Sequence, residues 1–117
     1  MIDITPFAQS VYDVVQTIPK GKITTYKLIG IALGKPNACQ AIGSVLAKNP
    51  FAPIVPCHRV LTSDYKMGGY FGSTDLNSTN VKKKIKLLKS EGIKFDDNKI
   101  INSDVYKKSI IYEPKHI

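Results

Sequence analysis

The stretch TYKLIGIALGKPNACQAIGSVLAK, residues 25–48, decides the fold. Its first helix is predicted to begin after Thr25, a residue type that caps helices, and to end at Gly34, where a left-handed residue is expected. After a brief turn, Asn37 is predicted to cap a second helix. Two short helices joined in this way predict a helix-turn-helix over about residues 25–48. The side chains expected to face the core are Leu28, Ile29, Ala32 and Leu33 in the first helix and Ala38, Ala41, Ile42, Val45 and Leu46 in the second.

The outward face of the second helix carries unusually small side chains. A helix with so little on its surface could approach another molecule closely, although many helix-turn-helix pairs only pack a core. The helical pattern by itself leaves both interpretations open. The outward residues are Cys39, Gln40, Gly43, Ser44, Ala47 and Lys48.

Two further helices and a short extended piece at residues 22–24 complete the pattern. Thr5-Pro6 provides a capping hydroxyl and a proline suited to the first helical position. A last helix is predicted over about residues 81–91. We therefore expect a single compact domain over residues 1–117, mainly α with a little β and winged-helix-like, with an uncertain extension at 96–117. Helical spacing predicts core positions for Phe7, Val11, Val14, Val15 and Ile18 and for Val81, Ile85 and Leu88, with Lys82, Lys83, Lys84, Lys86 and Lys89 on an exposed basic face.

Composition limits the classes of protein to which the chain could belong. It has 117 residues, and 17 Lys and Arg against 9 Asp and Glu give a formal charge of +8. Such a surplus favours a polyanion as partner, most simply nucleic acid, but it also fits a lysine-rich surface that only aids solubility. No apolar run suits a membrane span and the sequence does not start like a signal peptide, so we expect a cytoplasmic protein, or a nuclear one in a eukaryote. Two cysteines are too few for a disulfide framework, and no Cys and His residues have zinc spacing, so no metal or cofactor is expected.

The pentapeptide PCHRV, residues 56–60, contains the strongest candidate for chemistry. Cysteine is nucleophilic only as a thiolate, so it needs a base or a positive potential nearby, and His58 and Arg59 follow Cys57 directly. Arg59 is the only arginine in the chain, which indicates a specific need for its planar, charged fork. In an extended segment neighbouring side chains point to opposite sides, so His58 would reach Cys57 only through a water or another residue. A cysteine kept only for packing is the alternative.

Three later features are not explained by packing alone. Glu91 lies at the carboxyl end of the last helix, where the helix dipole disfavours an anion, and this indicates a specific partner. The glycine-rich stretch 67–72 contains Tyr70 and Phe71 and could be a mobile wall over a site or a plain surface turn. Residues 93–101 could form a small hairpin, and the basic tail after them is uninformative.

Several short motifs follow one another between about residues 7 and 95. They are PKGKITTY at 19–26, AIG at 41–43, Asn49-Pro50, PCHRV at 56–60, GYFG at 69–72 and KLLKSEG at 86–92. In this order they resemble the DNA-binding and catalytic domain of the O6-alkylguanine-DNA alkyltransferases. Members of that family usually have a further N-terminal domain, sometimes with a zinc site, to which the resemblance does not extend.

The resemblance implies a role for each residue of the site. Cys57 would take the alkyl group from O6 of a guanine in double-stranded DNA and keep it as a thioether. His58 and Glu91 would form a relay that activates the thiol through a water, and Asn49 would brace the site. Tyr26 would contact the flipped nucleotide and supply a proton to the leaving guanine.

The same resemblance implies a DNA-binding surface. The small-faced helix would enter the minor groove, and phosphate contacts from lysines would make binding indifferent to sequence. Backbone groups of Cys57 and Val60 would read the guanine amine, Tyr70 would form part of the pocket wall, and Arg59 would be structural behind the site. The protein would act once, as a monomer and without a cofactor. The residues expected on the DNA or the damaged base are Ala38, Gln40, Ala41, Gly43, Ser44, Val60, Tyr70 and Phe71.

Two residues depart from the family pattern. Gln40 stands where an arginine finger is usual in the recognition helix, which affects base flipping. Phe71 stands where many members have a small residue or a serine, which affects the range of alkyl groups accepted.

Other classes of protein fit the sequence less well. An alkyltransferase-like protein, which flips alkylated guanine without chemistry, typically has tryptophan where this chain has Cys57, and the chain contains no tryptophan. A helix-turn-helix transcription factor would need long polar side chains to read the major groove, and Gly43 and Ser44 do not provide them. A cysteine hydrolase or peroxidase would need a route for water or a resolving thiol, and Cys39 lies on the expected DNA face.

Overall fold

The computed structural model describes residues 4–52, 54–67, 78–96, 101 and 103–115. Within these ranges five helices and a two-stranded sheet follow one another, so the predicted fold class, mainly α with a little β, is confirmed. No helix in the same ranges is long and apolar enough to cross a membrane. In chain order the elements are α1 (Pro6–Gln16), β1 (Thr24–Thr25), α2 (Tyr26–Ala32), α3 (Cys39–Ala47), a 3-10 turn (Cys57–Arg59), β2 (Val60–Leu61), α4 (Thr79–Ser90) and α5 (Asp104–Ile110).

Short polar side chains begin four of these helices. Thr5 and Thr25 accept hydrogen bonds from backbone N–H groups of the first turn, at 3.1 and 3.2 Å, so both predicted caps are confirmed. Ser78 caps α4 and Ser103 caps α5 in the same way. These caps satisfy N–H groups that have no partner within the helix, and they set where each helix starts.

α3 begins without a side-chain cap, and the prediction that Asn37 caps this helix was wrong. The N–H of Ala38 donates to the carbonyl of Lys35 at 3.0 Å. Ala38 therefore still belongs to the turn, and the helix starts at Cys39.

The core side of α3 is also narrower than predicted. Ile42 and Leu46 are buried, four residues apart, whereas Ala41, which was expected inside, is exposed. Ala41 lies about 100° around the helix from Ile42, and it is one turn nearer the start of α3 than the half-buried Val45. It therefore adds to the exposed face of small side chains and not to the core.

α2 and α3 are joined by a turn that closes over Gly30. The N–H of Lys35 donates to the Gly30 carbonyl at 2.7 Å, and a Cβ on Gly30 would lie 2.8 Å from the carbonyl oxygen of Lys35. Only glycine fits where the backbone approaches so closely. Gly34 has φ 71°, the left-handed conformation predicted for the end of this helix. The predicted helix-turn-helix is thereby confirmed.

The sheet brings the start of α2 beside the segment that contains PCHRV. β1 and β2 run parallel, with Thr24 paired to Val60 and Thr25 to Leu61. Since Thr25 also caps α2, this pairing fixes the position of α2 relative to the residues just before β2.

The described part of the C-terminal segment, whose sequence was uninformative, belongs to the fold. The N–H of Ile23 donates to the Ile110 carbonyl at 2.9 Å, and its carbonyl accepts from the N–H of Tyr112 at 2.7 Å. These bonds form a parallel bridge between Ile23 and Ile111. The hydroxyl of Tyr106 bonds to the backbone just after α4. Pairing with residues far earlier in the chain, which no local pattern encodes, orders this segment.

Most of the buried apolar side chains among the described residues belong to one of two clusters. The first joins α1, α2 and α3 to the segment around Cys57, and the second joins β2, α4 and α5. Because Val60 belongs to the first cluster and Leu61 to the second, the PCHRV segment lies where the clusters meet. The hairpin expected over residues 93–101 lies partly outside the described residues. The first cluster contains Val11, Tyr12, Val14, Val15, Ile18, Ile29, Ile42, Leu46, Val55, Cys57 and Val60, and the second contains Ile23, Leu61, Met67, Val81, Ile85, Leu88, Ile93, Ile101 and Ile110.

Lys84 is fully buried, with 0% of its surface exposed, so its predicted place on the exposed basic face was wrong. It lies three residues after Val81 and four before Leu88, both of which are fully buried. Residues at these spacings share one face of a helix, so the position of Lys84 in α4 outweighs the preference of its charge for solvent. The other lysines predicted on this face, Lys82, Lys83, Lys86 and Lys89, are exposed.

Candidate active site

Cys57 lies at the start of the 3-10 turn and is buried, with 4% of its surface exposed. Its N–H donates to the Val55 carbonyl at 2.8 Å, and the N–H of Arg59 donates to the Pro56 carbonyl at 2.9 Å. These short-range bonds wind the segment, so the extended conformation considered for Cys57 and His58 does not occur, and β2 starts only at Val60. In a turn, the rule that neighbouring side chains of an extended segment point to opposite sides no longer applies.

The carboxylate of Glu91 contacts both His58 and Arg59, the two residues that follow Cys57. His58 Nε2 lies 3.0 Å from Glu91 Oε2. Arg59 donates from Nε to Glu91 Oε1 at 2.9 Å and from Nη2 to Oε2 at 2.6 Å, which is a bidentate pair. The third guanidinium nitrogen of Arg59 donates to the Ile18 carbonyl at 2.8 Å. The acid whose position the helix dipole disfavours thus has two specific partners.

The protonation states of this group follow from its surroundings. Burial alone would raise the pKa of Glu91, but hydrogen bonds from Arg59 and His58 outweigh burial, so that the pKa lies below its ordinary value. The pKa of His58 is lowered chiefly by burial, against the opposing effect of Glu91 and with help from the positive charges of Arg59 and Lys84. At neutral pH the carboxylate is therefore charged and the imidazole neutral.

The two ring nitrogens of His58 have different surroundings. Nε2 faces the ionised Glu91 and so carries the proton, whereas Nδ1 is buried and has no hydrogen-bond partner among the described protein atoms. Leaving a buried acceptor unpartnered costs free energy, which indicates a function for it. His58 follows Cys57 directly in the chain, and a neutral ring nitrogen that carries no proton of its own is chemically able to act as a base.

Asn49 braces the segment that leads to Cys57. It is buried just after α3, and its Nδ2 donates to the Val55 carbonyl at 2.9 Å. Its Oδ1 accepts from the N–H of Phe51, also at 2.9 Å. Because the same Val55 carbonyl accepts from the N–H of Cys57, one shared acceptor ties the end of α3 to the backbone of the cysteine.

The other residues predicted for the site lie around this centre or outside the described residues. Tyr26 is half-buried at the first position of α2 and packs against the cluster that contains Cys57. Val60 is buried in β2. Tyr70 and Phe71 lie outside the described residues. On α3, Gln40, Ala41 and Ser44 are exposed, and Ala38 and Gly43 are partly exposed.

Lys84, which was predicted to lie on the exposed basic face of α4, also lies at the candidate site. Its Nζ donates to the Val60 carbonyl at 2.7 Å and to the Met67 carbonyl at 2.6 Å. Burial lowers the pKa of this ammonium to about 7, and charge at Cys57 opposes that shift, so the two groups are electrostatically coupled. The signal in the sequence was the spacing that puts position 84 in the buried stripe of α4.

A buried thiol, a neutral imidazole and an ionised carboxylate in this order can generate a thiolate. In such an arrangement an imidazole can take the thiol proton, and a carboxylate can orient the ring and stabilise the imidazolium. Within the described residues, no three His, Cys, Asp or Glu side chains come together in a group that could hold a metal ion.

Residues 6–93 match the family model described as 6-O-methylguanine DNA methyltransferase, DNA binding domain. The chain is 44% identical over 72 residues to a methylated-DNA–protein-cysteine methyltransferase of Methanosarcina barkeri, over 62% of this chain and 46% of that protein. It thus spans about half the length of the curated relatives that it matches.

Two solved structures of proteins bound to DNA have a fold similar to that of this chain. Mycobacterium tuberculosis OGT in complex with DNA aligns with a TM-score of 0.67 and 35% identity, over 78% of this chain and 52% of that one. Schizosaccharomyces pombe Atl1, in complex with damaged DNA containing O6-carboxymethylguanine, aligns with a TM-score of 0.76 and 24% identity, over 97% of this chain and all of that one. At that lower identity the likeness to Atl1 concerns the fold alone.

Proposed function

The chain belongs to the 6-O-methylguanine DNA methyltransferase family, and we propose that it repairs DNA by direct reversal of alkylation. In this proposal the sulfur of Cys57 takes the alkyl group from O6 of a guanine and keeps it as a thioether. Each molecule acts once, because the thioether carbon is no longer bonded to a good leaving group and no step returns the sulfur to a thiol.

The observation that carries the proposal is the state of His58. Its ring is buried and neutral and is held at Nε2 by Glu91, and within the described part of the chain its Nδ1, one residue after a buried cysteine, has no hydrogen-bond partner. A neutral, buried base that follows a buried cysteine is the arrangement expected of a protein that must make a thiolate away from solvent, and this supports alkyl transfer over DNA binding alone.

The first step is loss of the thiol proton. His58 accepts it at Nδ1, directly or through a water, and the imidazolium that forms is stabilised by Glu91 at 3.0 Å. Arg59 keeps the carboxylate ionised, so this stabilising charge is present before the reaction begins. The step leaves a thiolate beside a cation.

The second step is displacement at the alkyl carbon. A bond forms from the Cys57 sulfur to this carbon while the bond from the carbon to O6 breaks, and the electron pair of that bond goes to the guanine. The guanine takes up a proton, which the family resemblance assigns to the hydroxyl of Tyr26. The proton held by His58 then returns through solvent to Tyr26, so that in total one proton passes from the thiol to the base.

The substrate is proposed to be a nucleotide turned out of duplex DNA. The alkyl carbon is inaccessible inside a base pair, and unstacking the base costs a few kcal/mol. The exposed small side chains of α3 allow its backbone to approach the groove closely, and the formal charge of +8 favours phosphate contacts that carry no sequence preference. Gln40, exposed on α3, is the side chain proposed to take the vacated place.

Binding of alkylated guanine without chemistry is the second candidate function. The observation that favours it is Gln40, an uncharged residue where an arginine finger is usual. The presence of Cys57 disfavours binding without chemistry, because alkyltransferase-like proteins typically have tryptophan at this position.

Intact-protein mass spectrometry after incubation with a duplex that carries O6-methylguanine tests the proposal. We expect one added methyl group per molecule, mapped by peptide analysis to Cys57 and lost in Cys57→Ala. Cys39→Ala is the matched control, since Cys39 is the other cysteine of the chain and is exposed on α3. Repeated turnover by one molecule, or a methyl group on Cys39, would contradict the mechanism. Tight binding of the damaged duplex without transfer would favour the second candidate.

A further inference from the structure

Lys84 is a buried lysine that the reaction scheme above does not use. Its side chain comes from the core stripe of α4 and has 0% of its surface exposed. Its Nζ donates to the Val60 carbonyl at 2.7 Å and to the Met67 carbonyl at 2.6 Å. Taking an ammonium out of water is costly unless its donors are satisfied, so the site must supply compensation.

The two carbonyls belong to separate parts of the chain, and each part is adjacent in sequence to residues predicted for the site. Val60 follows the 3-10 turn directly and starts β2, and Met67 is the last described residue before the stretch that contains Tyr70 and Phe71. The ammonium therefore ties the backbone behind the cysteine to the backbone that leads into the expected pocket wall.

Lys84 is also coupled to the titratable groups of the 3-10 turn. Burial lowers its pKa to about 7, and the charge of Cys57 opposes this shift. Lys84 in turn lowers the pKa of His58. Coupling of this kind is reciprocal: if a thiolate favours the ammonium, the ammonium favours the thiolate to the same degree.

We propose that Lys84 is a positioning residue for the alkyl transfer, whose ammonium holds the Val60 and Met67 carbonyls together and supplies positive charge to the Cys57 thiolate. The inference rests on the proposed function in taking that thiolate as the nucleophile. In this scheme Glu91 is the counter-charge of the His58 imidazolium, and Lys84 is the counter-charge of the Cys57 thiolate.

Two substitutions distinguish the hydrogen bonds of Lys84 to the two carbonyls from the effect of its charge. Lys84→Met keeps the length of the side chain but removes both the charge and the donors, whereas Lys84→Gln keeps N–H donors and removes the charge. Lys83→Met is the matched control, because Lys83 is the preceding residue of α4 and is exposed. The pH dependence of iodoacetamide labelling gives the pKa of the Cys57 thiol in a Cys39→Ala background, and single-turnover methyl transfer gives the rate.

We expect the thiol pKa to rise by about one unit or more in both Lys84→Met and Lys84→Gln, and transfer at neutral pH to slow at least about tenfold, with no change in Lys83→Met. A folded variant of either kind with the wild-type thiol pKa would overturn the role of the charge. Wild-type labelling and transfer in Lys84→Met would overturn the whole inference.

A third measurement does not depend on how well the Lys84 variants fold. The pKa of Lys84, followed by NMR of its labelled side chain, is expected to be lower in Cys57→Ala than in the wild type, because the anion that opposes burial is gone. Equal values would contradict the coupling. The thiol and lysine titrations use no DNA, so absence of methyl transfer in the wild type would count against the proposed function and leave the assignment of Lys84 to be judged by titration alone.

Discussion

The imidazole of His58 and the carboxylate of Glu91 meet at 3.0 Å, although 33 positions separate them in the chain. The same carboxylate accepts two hydrogen bonds from Arg59, so it serves at once as the partner of a base and of a permanent cation. This arrangement keeps Glu91 ionised inside the protein, where an isolated carboxyl would be neutral. The reactivity expected of Cys57 depends on that shared carboxylate.

Replacement of Glu91 by Gln is expected to slow methyl transfer about tenfold, because the amide no longer stabilises the imidazolium. His58→Ala removes the acceptor and is expected to cost about a hundredfold or more. Since both changes disable one relay, the double variant should be little slower than His58→Ala alone. Single-turnover rates with saturating duplex measure all three. A Glu91→Gln protein that reacts at the wild-type rate, with a thiol pKa at or above the ~8.5 of free cysteine, would rule out the relay.

The transfer rate is expected to fall in acid because His58 must be neutral to accept a proton. Its folded pKa lies below the ordinary value of about 6.5. At neutral pH His58 is therefore already neutral and should not limit the transfer rate. Below the folded pKa of His58 the rate should fall about tenfold per pH unit. Between the two values the unfolded state binds more protons, so stability also falls as pH falls. Glu91→Gln removes a charge that raises this pKa and should move the acid limb of the rate profile to lower pH. An acid limb that does not move would contradict the assignment.

Arg59→Lys is expected to lower the free energy of unfolding by about 2 kcal/mol. The guanidinium makes three hydrogen bonds, two of them to a carboxylate that is only 9% exposed, and an ammonium cannot reproduce the bidentate pair. Urea denaturation gives the difference. Lys66→Met breaks an exposed pair with Asp64 at 3.5 Å and serves as the control, with an expected change below about 0.5 kcal/mol. Equal effects of the two substitutions would contradict a special role for the buried pair.

Lys84 is expected to make the protein more stable as the pH rises from neutral. Its folded pKa of about 7 lies below the ordinary value of 10.5, so between these values the unfolded state binds more protons, and the cost of burying the ammonium is relieved. In a Cys57→Ala background, where no thiol titrates at the site, the free energy of unfolding should contain a slope of up to about 1.4 kcal/mol per pH unit. Adding Lys84→Met should remove that slope. Parallel stability curves with and without Lys84 would contradict the shift.

DNA binding is expected to weaken steeply with salt and to depend little on flanking sequence. Gln40→Arg adds a cation on the exposed face of α3, and it should tighten binding and steepen the plot of log affinity against log salt by about one unit. Val105→Arg adds the same charge on α5 at a residue that is 81% exposed, and it should have a smaller effect. Equal effects of the two substitutions would mean that α3 is not the docking element. Strong preference for one undamaged sequence would favour a transcription factor.

The sequence determined the features that depend on neighbours along the chain. The caps at Thr5 and Thr25, the left-handed Gly34 and the apolar spacing of α2 and α3 specify a helix-turn-helix because each acts within a few residues. The chemical character of PCHRV is local as well, since it needs only the order of its residue types. Where a prediction rested on residue type alone, it was wrong for Asn37, because the hydrogen bonds of the turn start α3 one residue later.

Only the tertiary structure decided which distant groups meet. The contacts of Glu91 with His58 and Arg59 join α4 to the 3-10 turn, and they exist because two apolar clusters pack these elements together. The same packing buries Lys84 against the Val60 carbonyl, where the cost of desolvation is offset by hydrogen bonds that no local pattern could reveal. A helix encodes which of its side chains share a face. Which groups pack against that face is decided by residues far away in the chain.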